Sequence, residues 1–197
     1  MKTYKRPTRI DYEEFLIQIV YGPCTDYLLA CIKAAYLDFC RTMRGFSKVA
    51  DKQTIHDAAV GEMRERFCLL PSSQISERDH FDTWHRETSD SLVKIYANGS
   101  FDVFAGQTQK WINMTFKNIF VCGETRLLGY DPLYRFCHMP VDNVVLEQLA
   151  EEGLKGPAGA WSKWGYDDYL AFQVELRQRY GDQPLLNVEH HLWIEGR

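Results

Sequence analysis

Apolar side chains recur at steps of three and four residues along most of this chain, which is the spacing of one face of an α-helix. The clearest case is the segment 25–41, whose single apolar stripe consists of Leu28, Cys31, Ile32, Ala35 and Phe39. Alternating strand patterns are scarce, and only residues 101–104 and 185–188 carry runs that would suit paired strands. The sequence therefore predicts a mainly α protein.

Further segments combine this spacing with helix start and stop signals. Asp51 is placed to cap one helix, which Pro71 ends. Ser76 with Asp79 resembles a capping box ahead of another helix that ends at Asn98. The remaining predicted helices cover residues 107–120, 142–151 and 167–177.

Length and composition indicate one folded domain. A chain of 197 residues forms one well-packed core more readily than two, so we predict a single helical domain over residues 1–193. Residues 194–197 match a protease-recognition linker and are left out of this domain. The apolar fraction of 45% and the charged fraction of 25% exclude disordered and collagen-like chains.

Charge argues against a global attraction to nucleic acid, because 27 acidic residues outnumber 23 lysines and arginines and give a net charge of -4. A nucleic-acid partner would need a local basic patch. Four cations near the N-terminus offer one candidate, although a solvated tail is the commoner meaning of such a run. They are Lys2, Lys5, Arg6 and Arg9.

The cysteine pattern gives no support to a metal or redox site, since the six cysteines form no C-x-x-C pair. We expect reduced, mostly buried thiols, and we predict neither a metal nor a cofactor.

No apolar run approaches about 18 residues, and the first residues lack the apolar segment of a secretory signal. We therefore expect a cytoplasmic protein with no membrane partner, whose oligomeric state stays open.

The segment 104–114 contains a candidate anion site. Gly106 and small polar residues precede a helix, and unpaired N–H groups at a helix start can bind a phosphate. Lys110 lies in the first predicted turn, where the positive end of the helix dipole disfavours a cation, and this favours a functional role. The nucleic-acid contacts predicted here are Gly106, Gln107, Thr108, Gln109 and Asn113.

A second candidate segment follows at residues 138–147. Pro140 excludes the helical conformation for Met139, and Asp142 is then placed to cap the helix that follows. An ordinary N-cap is one interpretation of Asp142, and a catalytic carboxylate is the other.

Taken together, the two segments resemble the helix-hairpin-helix DNA glycosylase superfamily, which includes the 8-oxoguanine and mismatch adenine glycosylases. In that family a Gly-x-Gly-x-Lys hairpin begins a helix, and a later Pro-Val-Asp segment places an Asp at a helix N-terminus. Gly106 and Lys110 match the first element, with Thr108 in place of the second glycine, and residues 140–142 match the second. The match is confined to residues 104–147.

The resemblance implies excision of a modified or damaged base from DNA. It gives Lys110 the role of a nucleophile that attacks the sugar C1′ and Asp142 the role of the essential carboxylate. Lys117 lies two turns beyond Lys110 and is expected to be solvated. A flipped base needs a pocket with flat side chains, and the candidates for stacking are Trp111, Trp161 and Trp164.

Other interpretations remain open at this stage. Residues 161–169 either form an aromatic and basic binding edge that includes Lys163, or bury one tryptophan in the core. The spacing of Arg78 and His85 is similar to the signature of the HEPN ribonucleases, an all-α family in which His acts as acid and base. A non-catalytic nucleic-acid or protein binding module is the third alternative.

Overall fold

The helix α5 (Ala105–Cys122) runs through the centre of the molecule, with buried residues on every side. A helix that is buried all round must be surrounded by other elements. In this computed structural model, which describes residues 5–23, 25–73 and 75–195, the most extensive packing of α5 is against α2 (Tyr27–Cys40). The helix α5 also packs against helices of both the N-terminal and the C-terminal parts of the chain, and this makes it the central element of the fold.

The other helices surround this central pair. They are α1 (Arg9–Tyr21), α3 (Lys52–Leu69), α4 (Arg78–Asn98), α6 (Asn143–Glu151), α7 (Tyr166–Tyr180) and α8 (Leu185–Glu195). Short 3-10 turns lie at Phe46–Lys48, Leu70–Ser72, Asp131–Phe136 and Trp161–Lys163. The described ranges contain no strand, so the prediction of a mainly α, single-domain protein is confirmed.

Two apolar clusters meet along α5. The larger cluster joins α2, α3, α4 and the middle of α5, and Trp111 lies inside it, stacked on Phe39 with its indole N–H donated to the Ile32 carbonyl at 2.9 Å. The smaller cluster joins α6, α7 and α8 to Ala105 and Val141. The first turn of α5 therefore lies between the two clusters, and this position places the residues that follow at their boundary.

The predicted helices are confirmed, with differences at their ends. Asp26 caps α2, which begins at Tyr27, two residues after the start of the predicted segment, and Asp51 holds the N-cap position of α3 without a side-chain bond. The capping box at Ser76 is wrong, because α4 begins one residue later with an extended Glu77 as its N-cap. Side-chain caps depend on the exact backbone turn that enters a helix, which spacing alone does not specify.

Both predicted strands are wrong. Residues 185–188 form the first turn of α8, where Leu186 packs into the larger cluster while Leu185 and Val188 pack into the smaller one. Residues 101–104 are an irregular segment that leads into α5. The helices α1 and α8 have no counterpart in the predicted set. In α1 only Ile17 is buried, so no apolar stripe marks it.

Among the cysteines, Cys31, Cys122 and Cys137 are buried, Cys40 is half-buried and Cys68 is exposed. Most of the described cysteine side chains are therefore buried, as expected. Cys24 and Lys2 lie outside the described residues, as do the last two residues of the predicted linker, although α8 continues through its first two. None of the helices in the described ranges has the length and apolar character needed to cross a membrane.

Gly106 permits a close main-chain contact between α5 and the turn Trp161–Lys163. Its N–H donates to the Trp164 carbonyl at 3.1 Å, and a β-carbon at this position would lie 1.8 Å from the Trp161 oxygen. Only glycine lets the two backbones approach so closely. The glycine therefore holds the turn against the first turn of α5.

We expect Gly106→Ala to lower the free energy of unfolding by about 1–3 kcal/mol, because the added methyl group forces the turn away from α5. Urea unfolding followed by circular dichroism measures the change. Gly61→Ala is the matched control, since nothing lies within 4 Å of its added β-carbon in α3, and it should raise the stability by up to about 1 kcal/mol. A Gly106→Ala protein as stable as the wild type would contradict this packing.

Candidate active site

Lys110 and Asp142, which are far apart in the chain, form an ion pair at the boundary of the two clusters. The Lys110 Nζ lies 2.6 Å from the Asp142 Oδ2. Their side chains are 10% and 20% exposed, so the pair is mostly shielded but still open to a cleft. Charge-assisted hydrogen bonds of this length are among the stronger polar contacts in proteins. The two segments singled out in the sequence thus meet at one point.

Asp142 uses its two carboxylate oxygens for different tasks. Its backbone is extended, and its Oδ1 accepts the Val145 N–H at 3.0 Å as the N-cap of α6. Its Oδ2 is the oxygen that contacts Lys110. The interpretation of Asp142 as an N-cap is therefore confirmed, and the same side chain also contacts Lys110, while its catalytic role stays a prediction.

Two buried glutamines hold the main chain that leads to Asp142. The Gln109 amide donates to the Val141 carbonyl at 2.8 Å and accepts the Val141 N–H at 3.2 Å. Gln173 on α7 forms the same pair of bonds with Met139, at 2.9 and 3.0 Å. Each amide thus satisfies two polar groups that burial would otherwise leave unpaired. Because Gln109 and Lys110 are neighbours, α5 fixes both the backbone before Asp142 and its carboxylate.

Gln173 is a site residue that the sequence interpretation missed. It lies on the buried face of α7 among apolar residues, and it is completely buried. A glutamine on the apolar face of an amphipathic helix is the signal that was available, because a buried amide requires partners. The sequence could not indicate that these partners would be the main-chain groups of Met139.

A buried polar network lies behind the glutamines. The His138 Nε2 donates to the Asp82 Oδ1 at 2.8 Å, and its Nδ1 accepts the Tyr169 hydroxyl at 2.9 Å. Arg177 donates to both oxygens of Asp82 at 2.6 Å. Burial acts to raise the pKa of Asp82, but the hydrogen bonds from Arg177 and His138 outweigh it and hold this pKa well below its usual range. Asp82 therefore stays charged and fixes the His138 ring.

His85 stacks on His138 in this network, with ring centroids 4.4 Å apart. Its Nε2 donates to the Asn113 Oδ1 at 3.0 Å, and its Nδ1 accepts the Tyr166 hydroxyl at 2.8 Å. Both rings are completely buried, and burial is the main reason why their pKa values are lowered, most strongly for His85. A neutral imidazole has one N–H donor and one acceptor nitrogen, which is what the two bonds of each ring require.

The ribonuclease alternative needs His85 to reach a substrate phosphate. Its ring has no exposed surface and both nitrogens are bonded inside the protein, while Arg78 is exposed at the first turn of α4. An acid–base catalyst must come within hydrogen-bond reach of the proton it transfers. The position of His85 does not meet this requirement, so the structure gives no support to that alternative.

The Lys110–Asp142 pair faces a cleft of about 460 Å³ between the end of α2, the face of α5 and α8. A second ion pair lies in the same cleft, where the Lys117 Nζ is 2.6 and 2.7 Å from the two Glu189 oxygens. Lys117 is therefore paired and only 25% exposed, and the expectation of a solvated side chain is wrong. The other lining residues are Asp38, Arg41, Thr42, Met114, Trp161, His190 and Trp193.

The anion site predicted at the start of α5 does not form. The Gly106 N–H donates to the Trp164 carbonyl, and the N–H groups of Gln107 and Thr108 donate to the Phe104 carbonyl. These groups are therefore occupied by the protein's own backbone. The helix also begins earlier than predicted, at Ala105, which moves Lys110 from its first turn into its second.

The polar side chains predicted to contact nucleic acid are likewise turned inward. The Gln107 amide bonds to the Thr42 carbonyl at 2.9 Å, and the Thr108 hydroxyl bonds to Ser89 at 2.6 Å. Gln109 and Asn113 belong to the buried networks described above, and Asn113 donates to the Gln109 Oε1 at 3.0 Å. None of the four is positioned to contact a nucleic acid, because burial withdraws their polar atoms from solvent.

The tryptophans predicted as stacking residues separate into two groups. Trp111 and Trp164 are buried at 0% and 3% exposure and belong to the core. Trp161 is half-buried, lines the cleft of the Lys110–Asp142 pair and donates its indole N–H to Asn143 at 2.8 Å. Lys163 in the same turn is exposed, with its Nζ 4.2 Å from the centre of the Phe104 ring. The turn therefore presents Trp161 and Lys163 outward.

Comparison of this chain with protein-family models, with curated proteins and with solved structures finds no match.

The buried histidines should make stability depend on pH. The folded-state pKa values of His85 and His138 are lowered by burial, so the unfolded chain binds protons more readily and stability falls as the pH drops through the unfolded histidine pKa. We expect a loss of up to about 1.4 kcal/mol per histidine for each pH unit below that pKa. Urea unfolding between pH 7 and 5 measures this slope.

His138→Gln should lower stability at pH 7 but make the slope shallower, because one titrating group is gone. His80→Gln on the exposed side of α4 is the matched control and should leave the slope unchanged. A wild-type stability that is flat over this pH range would contradict the assignment of neutral imidazoles.

Proposed function

We propose that this protein is a DNA N-glycosylase with an associated lyase step, which excises a modified or damaged base. The observation that carries the proposal is the Lys110–Asp142 ion pair, placed where both side chains face an open cleft. An amine beside a carboxylate is the pair that such chemistry requires, since one group attacks the sugar and the other stabilises the charge that develops there.

The reaction would proceed as follows. Asp142 accepts a proton from the Lys110 ammonium, 2.6 Å away, and the neutral amine attacks C1′ of the sugar. The N-glycosidic bond breaks, and its electron pair leaves with the base, which takes up the proton that Asp142 accepted. Opening of the sugar ring at C1′ moves a proton from the attached nitrogen to the ring oxygen and gives a protonated Schiff base between Lys110 and the strand. Asp142 is then a charged carboxylate again, and it stabilises the positive charge of this intermediate.

The size and lining of the cleft support this role. Its volume of about 460 Å³ falls within the range of small-ligand sites, roughly 300–1,000 Å³. A base that leaves the stack needs flat or soft apolar surfaces, and Trp161, Met114 and Trp193 provide these around the ion pair. The buried Glu189 bonds to Lys117 and leaves Lys110 to Asp142, so each lysine in the cleft has its own carboxylate.

Borohydride reduction tests the proposal, because it converts a Schiff base into a stable covalent bond between protein and DNA. Wild-type protein with DNA that carries an abasic site or one of a panel of modified bases should give a covalent adduct at Lys110, located by peptide mass spectrometry. Lys110→Gln should abolish the adduct. Asp142→Asn should slow its formation by about 100-fold or more, because the amide keeps an oxygen for the cap but carries no charge.

Lys117→Gln is the matched control, since it removes the other lysine of the same cleft, and it should still form the adduct. Circular dichroism confirms that each variant is folded. An adduct that persists in Lys110→Gln, or one that forms at Lys117 instead, would reject the assignment of the nucleophile. Unchanged behaviour of both Lys110→Gln and Asp142→Asn in every activity would leave a non-catalytic binding module as the alternative.

A further inference from the structure

A second cleft of about 530 Å³ lies beside the first, on the other side of Trp161. Arg41, Thr42 and Trp161 line both clefts, so the two clefts adjoin one another. The second cleft is also lined by Phe101, Gln107, Asn143 and Ser162. We call it the basic cleft, because its charged lining consists of Arg41, Arg44 and Lys163 with Asp102 as the acid.

The cations of the basic cleft are available to a ligand. Arg44 is exposed and forms no ion pair within the described residues. Arg41 contacts Asp38 at 3.2 Å, but its side chain is 77% exposed, and such surface pairs contribute little. The Lys163 Nζ lies over the Phe104 ring without a carboxylate partner among the described residues. The charge gathered here contrasts with the net charge of -4 of the whole chain.

The turn Trp161–Lys163, whose Trp161 ring lies between the two clefts, is held in place. Gly106 brings the turn Trp161–Lys163 into direct main-chain contact with α5, and Asn143 accepts the Trp161 indole N–H. The position of the Trp161 ring between the clefts is therefore set before any ligand arrives. Preorganised aromatic side chains beside cations are the arrangement on which single-stranded nucleic acids stack and bind.

We propose that the basic cleft binds the phosphodiester backbone of a single-stranded stretch of nucleic acid next to the nucleotide held at Lys110 and Asp142. Arg41, Arg44 and Lys163 contact successive phosphates, and the Trp161 ring stacks on a base between the two openings. The inference extends the proposed function, since it identifies the surface that holds the substrate strand. An acidic protein segment would satisfy the cations but would leave Trp161 without a stacking partner.

The test is the binding of an undamaged, fluorescein-labelled single-stranded 12-mer of DNA, measured by fluorescence anisotropy at several salt concentrations. The double variant Arg44→Glu/Lys163→Glu should raise Kd at least ten-fold. It should also lower the slope of log Kd against log salt by about 1.4, as expected when two phosphate contacts to a single strand are lost.

Lys94→Glu/Arg179→Glu is the matched control, because these exposed residues lie outside both clefts and the change in net charge is the same. It should leave Kd within about two-fold of the wild type. An equal loss in both double variants, or no measurable binding by the wild type, would overturn the inference. So would poly-glutamate that competes as strongly as DNA, which would indicate an acidic protein segment as the partner. Strand binding without a borohydride adduct would reject the glycosylase proposal alone.

Discussion

The paired amide bonds of Gln109 and Gln173 to the main chain of residues 139 and 141 are the contacts on which the site depends. This stretch of backbone is buried yet forms no helix, so its N–H and C=O groups cannot be satisfied by regular secondary structure. Each glutamine supplies one donor and one acceptor, which is the pair that a main-chain residue needs. They hold the main chain that leads to Asp142 against α5 and α7, and so they help to place its carboxylate beside Lys110.

The histidine network makes this arrangement specific. His138 precedes the bonded backbone and is tied to Asp82 on α4 and Tyr169 on α7. A buried charge such as Asp82 is tolerated when it is fully bonded, and here Arg177 and His138 occupy both of its oxygens. Polar residues from three helices thus have to assemble together, so the alignment of α4, α5 and α7 is coupled to the position of the site.

The sequence predicted the helices and the pairing of Lys110 with Asp142 better than it predicted what surrounds them. Apolar spacing records which face of a helix is buried, so the core of α2 and α3 could be predicted from residues such as Phe39 and Met63. Polar residues of these types usually lie at the surface, yet three of them are buried in α5: Gln107, Thr108 and Asn113. Their burial is possible because distant segments supply their hydrogen-bond partners. Composition carries no information about such partners.

Helix α8 shows a second limit of the sequence pattern. Its residues Leu185, Leu186 and Val188 contact two different clusters, so their spacing resembles a short strand rather than one helical stripe. The same helix contributes Glu189, His190 and Trp193 to the cleft. A helix that packs on two sides loses the simple periodicity by which it would be recognised.

The main-chain contact at Gly106 also fixes the distance between the two clefts. Side chains can change rotamer, but the Trp161 carbonyl packs directly against Gly106 and cannot move unless a whole segment of backbone moves with it. The separation between the two openings on either side of Trp161 is consequently as rigid as the packing of α5 itself. A polymer that occupies both openings must have a repeat spacing that matches this fixed distance. A small molecule occupies one opening and does not have to meet this requirement.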